Sequence, residues 1–326
     1  LLGRQVGVDK NSIELIFKAL ELQLDESDYT NAYPQTQSKI ANTGQSLKSD
    51  SGGQQESKTA NIRQDLRAAV DVSTFCGRRE ELACLEQWIV SDRCRTIALL
   101  GIGGIGKTAL FAKLAEQIKD KFDRAIWRSL RNAPPVKDIL VGLIQFLSDE
   151  QQIDGSSIVD SSISLLIDYL SKHRCLVVLD NFETILQDGE RVGYYRQGYE
   201  DYGELIRRIA EASHQSCLAI ASREKPREIA LLEGETLPVR SLELHGLNWI
   251  EAREIFKAKN LSGSENEFQV LVERYAGNPL KLQIVSATIK QLFDASVAKF
   301  LAQDVTVYGD IGELIEQQIN RLSDLE

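Results

Sequence analysis

The sequence predicts an α/β fold built on a parallel sheet, followed by a small all-α bundle. Three observations carry this. Between residues 72 and 246, short and nearly continuous apolar runs alternate with amphipathic segments of helical spacing. One of those runs leads directly into a glycine-rich G-x-x-x-x-G-K-[ST] stretch that opens a helical segment. After Gly246 the strand signals stop and only helical periodicities remain. A strand that is apolar along its whole length has both faces covered, as in parallel sheets flanked by helices.

The elements follow in chain order. In residues 1–29, Asp9 or Asn11 offers an N-cap, and Ile13, Ile16, Phe17, Leu20 and Leu24 recur at helical spacing. One amphipathic helix cannot bury its face alone, so this reads as the remnant of a helical unit. Residues 30–71 read as a flexible linker. Gln35–Ser38 and Ser49–Ser57 are polar and lack large apolar groups, so burial cannot offset the entropy of ordering them.

Residues 72–246 form the expected sheet domain. Strands are predicted at Arg95–Leu100, Ala125–Trp127, Leu176–Leu179, Leu218–Ala221 and Leu237–Leu244. Helices are predicted at Ala109–Ile118, Val136–Leu147, Ile163–Leu170 and Leu205–Ala212. Residues 247–305 form the expected helical domain, with helices at Trp249–Ala258, Glu267–Tyr275, Leu280–Gln291 and Ser296–Leu301. Residues 306–326 open a further helical element at Ile311–Leu322. The sequence contains no Met and stops inside that pattern, so a fragment cut at both ends is expected.

Composition narrows the function classes. A chain of 326 residues with 43% hydrophobic residues supports two or three folded units with real cores. The net charge of −10 argues against DNA as a partner of this stretch, because non-specific binding rests on Lys and Arg neutralising phosphates. Five cysteines, Cys76, Cys84, Cys94, Cys175 and Cys217, form no metal-ligand spacing and read as free thiols of a reducing, cytoplasmic compartment. His173, His214 and His245 are scattered. No run of about 18 apolar residues appears, so no membrane span is expected.

The strongest chemical signal is Gly101-Ile102-Gly103-Gly104-Ile105-Gly106-Lys107-Thr108, set between the strand ending at Leu100 and the helix starting at Ala109. Such a loop turns backbone N–H groups toward phosphate oxygens, and the helix amino end adds positive charge. Lys107 is the candidate to reach the β- and γ-phosphates, and the Thr108 hydroxyl the candidate magnesium ligand. Ile105 and Ala109 line the same loop and first turn. ATP or ADP with Mg²⁺ is therefore the expected ligand set.

Two further strand ends point to the same edge. Cys175–Leu179 is apolar and ends in Asp180, which puts a carboxylate at the carboxyl edge where ligands of open α/β sheets bind. Asp180 is the second magnesium candidate. Asn181 follows, where a carboxylate orienting the attacking water could stand; Glu183 is either that group or a first-turn helix acid. Slow hydrolysis is expected on this ground. Arg223, after the strand Leu218–Ala221, is the candidate sensor of a γ-phosphate.

Taken together these motifs resemble the NB-ARC branch of the STAND ATPases. Phe75-Cys76-Gly77-Arg78-Arg79-Glu80 is similar to the family's hhGRxxE motif, Phe122–Arg128 to its second-strand motif, and Tyr275-Ala276-Gly277-Asn278-Pro279-Leu280 to its GxP motif. The resemblance spans about residues 72–326, and Ile126–Pro135 and Ala221–Pro226 are similar to cyanobacterial members. It implies that Phe75, Cys76, Arg78, Pro279 and Leu280 contact adenine. It also implies that residues 306–326 begin a winged-helix domain leading to a repeat array that senses a trigger. The implied behaviour is a switch: ADP clamps the two domains, and ATP favours an open form that assembles into a homo-oligomer. Residues 1–29 resemble the closing helix of a helix-turn-helix module. Two rival readings stay open, a nucleic-acid-dependent P-loop motor and a scaffold around a permanently bound nucleotide.

Overall fold

A computed structural model describes residues 63–73, 75–148, 159–187, 189 and 193–302. The helices expected within 1–29 and 306–326 lie outside these residues, as does most of the expected linker.

Six strands form one parallel sheet: β1 (Arg63–Asp65), β2 (Thr96–Leu100), β3 (Arg124–Ser129), β4 (Cys175–Asp180), β5 (Cys217–Ser222) and β6 (Val239–Glu243). Their order across the sheet is β1-β3-β4-β5-β2-β6. The helices are α1 (Arg79–Glu86, running on into a π-turn over Gln87–Ser91), α2 (Lys107–Ile118), α3 (Val136–Ser148), α4 (Val159–Lys172), α5 (Asp201–Glu211) and α6 (Arg227–Leu232). The bundle contributes α7 (Trp249–Ala258), α8 (Glu265–Arg274), α9 (Pro279–Leu292) and α10 (Val297–Ala302).

Strand order explains the apolar runs. β2, β4 and β5 are central, and every residue in them is buried. Their side chains alternate between two cores, as the pleat requires. Ala98, Val177 and Ile220 face the layer of α3, α4 and α5. Ile97, Val178 and Ala219 face the layer of α1 and α2. Each fully buried Leu, Ile or Phe contributes about 1.5–3 kcal/mol over its exposed state, which fixes register across all three strands.

The linker expected over 30–71 ends earlier than its polarity suggests. Arg63–Asp65 pairs in parallel with Arg124–Ile126. This edge strand carries no apolar pattern, and its anchor is electrostatic: Arg128 Nη1 donates to Asp65 Oδ2 at 2.9 Å. The strand expected from Leu237 starts instead at Val239, after Pro238, whose ring nitrogen has no hydrogen to donate to a ladder. Helix α6 was not anticipated; it has only six residues and follows Pro226.

The bundle helices are capped by their sequence. Asn248 with Glu251, and Ser264 with Glu267, each form a reciprocal capping box at α7 and α8. Asn278 caps α9, with Pro279 in the first turn. Leu271, Leu282, Val285, Ile289 and Val297 build a separate core beneath them.

Among the described residues no helix is long and apolar enough to cross a membrane. All five cysteines are free thiols. Burial pushes the Cys175 thiol up to about 12 and Cys217 higher still, so these are inert core groups.

Candidate functional site

Parallel strands bring their carboxyl ends to one edge, and sheet order decides which ends are neighbours. β5 lies between β2 and β4. Leu100 pairs with Ser222, and Leu179 with Ile220. Arg223 therefore emerges between the glycine loop that follows β2 and Asp180 at the end of β4. A cleft of about 360 Å³ opens there, between the sheet domain and the bundle.

Its lining brings together Phe75, Cys76, Arg78, Gly103, Gly104, Ile105, Gly106, Lys107, Thr108, Ala109, Asp180, Asn181, Glu183, Arg223, Pro279 and Leu280. Gly101 is the one predicted site residue outside the lining; its carbonyl lies behind the loop and accepts from Lys107 Nζ at 2.7 Å. The ammonium group also donates to Ile102 O at 3.2 Å. Lys107, Thr108 and Ala109 form the first turn of α2, where backbone N–H groups have no partner within the helix. Those donors, with the macrodipole, make an anion seat.

Asp180 is buried, and Thr108 Oγ1 donates to its Oδ1 at 3.1 Å. Burial raises the Asp180 carboxyl to about 6, and the nearby Glu183 charge pushes the same way. A desolvated carboxylate with a hydroxyl beside it is an oxygen donor pair that suits a hard divalent cation. The residues present thus fit both a polyphosphate and magnesium.

Asn181 sits at φ 57, a left-handed conformation that Asn tolerates better than most residues. Its Oδ1 accepts from Ser129 Oγ at 2.9 Å. Glu183 lies in the 3₁₀ turn Phe182–Ile185 and faces Arg223. Glu183 Oε1 is 3.2 Å from Arg223 Nε, and Oε2 accepts the Arg223 backbone N–H at 3.2 Å. The Arg223 guanidinium lies over Gly103: a Cβ built there would be 3.3 Å from Arg223 Cζ.

Arg78 is a junction as well as a lining residue. It is buried, with φ 60, a costly conformation for a long side chain. Its guanidinium donates to Glu81 Oε1 at 2.8 Å, to Ile105 O at 3.3 Å and to His245 O. Its backbone N–H donates to Glu251 Oε1 of α7 at 2.6 Å. One residue thus joins the loop, the connection after β6 and the bundle.

Asn278 and Glu251, not site candidates by sequence, also join the site. Asn278 Nδ2 donates to Gly103 O at 3.0 Å, and Leu280 N donates to Gly104 O at 3.3 Å. Gly104 has φ 72, and a Cβ there would fall 2.9 Å from Leu280 Cβ. Its lack of a side chain thus serves the bundle contact as well as the loop. Gly277, at φ 63, meets the interdomain connection: its carbonyl accepts Leu247 N at 2.8 Å, and a Cβ would lie 2.2 Å from Leu247 O. Val70, Asp71, Val72, Leu247, Ile255 and Gln283 complete the lining. The capping pattern around Asn278 and Glu251 was legible; their second partners are about 170 residues away in sequence, at |i−j| of 175 and 173, and carry no local signal.

Comparison with known proteins agrees with this geometry. The NB-ARC domain family matches residues 78–189. An uncharacterized WD repeat-containing protein of Nostoc sp. is 50% identical over 274 residues, covering 80% of this chain and 22% of that protein. The disease resistance protein RRS1 of Arabidopsis thaliana is 30% identical over 203 residues, covering 60% of this chain and 14% of the plant protein. The chain therefore spans about a fifth or less of the length of these relatives. The fold is similar to that of a crystallised STAND protein with a tetratricopeptide repeat sensor from Pyrococcus horikoshii. That match has a TM-score of 0.50 at 22% identity and covers 66% of this chain and 30% of that one. Loop, strand order and buried carboxylate converge on one conclusion: this chain has a P-loop nucleotide-binding fold, and its residues 78–189 match the NB-ARC domain family.

Proposed function

We propose that the chain is the nucleotide-operated switch of a larger STAND-class signalling ATPase. One observation carries this reading. The cleft is walled by the glycine loop, Asp180 and Arg223 on the sheet side and by Pro279 and Leu280 on the bundle side, so a ligand seated there touches both domains.

When bound, ADP or ATP with Mg²⁺ supplies the anionic charge, and the cation neutralising it, that this site is built to meet. Loop amides and Lys107 hold the polyphosphate, and Thr108 and Asp180 hold the cation. Phe75, Cys76, Pro279 and Leu280 form the apolar wall for the base. Arg223 reads the γ-phosphate position. Nucleotide shifts the domain arrangement only as far as it binds one arrangement better than the other. ADP favours the closed form and ATP an open form that self-associates. Hydrolysis is slow, because Asn181 stands where an acid would orient water and Glu183 is engaged with Arg223. The repeat regions named for the Nostoc and Pyrococcus proteins support a sensor array in the longer protein.

The test is calorimetry on Lys107→Ala with circular dichroism as a fold control. Loss of ADP binding by at least about 100-fold with the fold intact is expected, since charge-assisted phosphate contacts are among the stronger polar interactions. Unchanged ADP affinity would reject the site. Sedimentation with ADP and with a non-hydrolysable ATP analogue tests the assembly step.

A further inference from the structure

Helix caps ordinarily serve their own helix. In the bundle, two capping side chains do more. Glu251 closes the α7 capping box through Oε2, which accepts Asn248 N at 3.2 Å, while Oε1 accepts Arg78 N at 2.6 Å. Asn278 caps α9 through Oδ1, which accepts Lys281 N at 3.2 Å, while Nδ2 donates to Gly103 O at 3.0 Å. The second case is the more specific. Asn278 is buried to 1% exposure, so its amide hydrogens find partners in the protein or not at all. The two contacts also fix the amide orientation: a flipped amide would set donor against donor at Lys281 and acceptor against acceptor at Gly103.

We infer that Asn278 is a positioning residue, a latch that holds the glycine loop in its closed-cleft shape and slows nucleotide release. Gly103 and Gly104 supply two successive carbonyls, and the amino end of α9 answers each with one donor, the Asn278 amide and the Leu280 N–H. Movement of α9 away from the loop breaks both together. The loop then loses its only side-chain tie to the bundle among the described hydrogen bonds. Loop shape and domain closure become one equilibrium, and Asn278 is the group through which they are linked.

The amide's two roles separate by substitution. Asn278→Asp and Asn278→Ser keep an N-cap acceptor of similar quality but remove the amide donor, since Asp carries none and the Ser hydroxyl ends one bond short of the Asn Nδ2. Both are made in the full 326-residue chain. Stopped-flow release of a fluorescent ADP analogue is expected to accelerate about 5-fold, the range of one neutral hydrogen bond. The thermal midpoint is expected to stay within about 2 °C. Hydrogen–deuterium exchange without nucleotide is expected to rise in peptides covering 101–109 and to stay unchanged over 280–292. Asn278→Ala, which also removes the cap, is expected to raise exchange in both.

Wild-type loop exchange in both Asp and Ser variants would overturn the latch, as would faster exchange confined to 280–292. The release arm rests on the nucleotide reading above; the exchange arm does not. If the wild-type chain binds no ADP analogue, that reading falls alone, and loop exchange still decides the latch.

Discussion

Glu183 grips Arg223 at two points: one carboxylate oxygen lies 3.2 Å from the guanidinium Nε, and the other accepts the backbone N–H at 3.2 Å. Glu183 is largely buried and Arg223 about one-third exposed, at 17% and 37% side-chain exposure. The pair therefore lies at the lip of the cleft, where solvent screens it only in part. A carboxylate holding a guanidinium this way restrains it from turning toward any other anion. Glu183→Gln weakens the restraint while keeping the shape. The expected result is a rise of about 5-fold in affinity for ATP relative to ADP, read by calorimetry with each nucleotide. A base role predicts a different outcome: hydrolysis lost with the affinity ratio unchanged.

Asp180 carries an unfavourable charge in the cation-free protein. Burial raises its carboxyl to about 6 from the ordinary 3.8, with Glu183 adding to the effect. Asp180→Asn keeps an acceptor for Thr108 Oγ1 and removes the charge. Without magnesium the variant is expected to be about 1–3 kcal/mol more stable to urea at neutral pH. With magnesium and nucleotide the order is expected to reverse, because only the wild type gains the cation. A variant less stable than wild type in EDTA would contradict this account.

Gly104 sits where two demands coincide, a left-handed φ of 72 and the approach of Leu280. Gly104→Ala is expected to cost about 1–3 kcal/mol in urea unfolding. Gly189 has φ 101 but nothing within 4 Å of a built Cβ. Gly189→Ala is therefore expected to cost less than Gly104→Ala, with the backbone penalty alone remaining. Equal losses at the two positions would show that the Leu280 contact adds nothing.

The edge strand gives a fourth test. Arg63–Asp65 has no apolar side chain, and its attachment to β3 includes the Asp65–Arg128 pair at 2.9 Å. Asp65→Asn is expected to raise amide exchange over 63–66 several-fold while leaving the sheet centre unchanged. Global destabilisation is expected to stay near or below about 1 kcal/mol.

These residues also show what a sequence can carry. The run Cys175–Asp180 was readable because a strand buried on both faces must be apolar throughout, and its one charged residue then stands out. The glycine loop was readable because strand, turn and helix lie in consecutive residues. Arg63–Asp65 was not, because an edge strand held by backbone bonds and an ion pair leaves no periodic trace. Asn278 and Glu251 sit in local capping patterns, which leave their second role as ties unmarked. A cap is a local pattern of three or four residues, whereas their partners Gly103 and Arg78 meet them only after the chain has folded. Arg223, the partner that bears on the role of Glu183, likewise lies 40 residues away.

The turn from Ala276 to Pro279 touches the interdomain connection at one end, where Gly277 meets Leu247 backbone to backbone, and the phosphate loop at the other, where Asn278 meets Gly103. In mechanical terms the pivot and the catch share a lever arm only one residue long. Such a lever has almost no free travel, so a shift of Gly277 against Leu247 carries Asn278 with it.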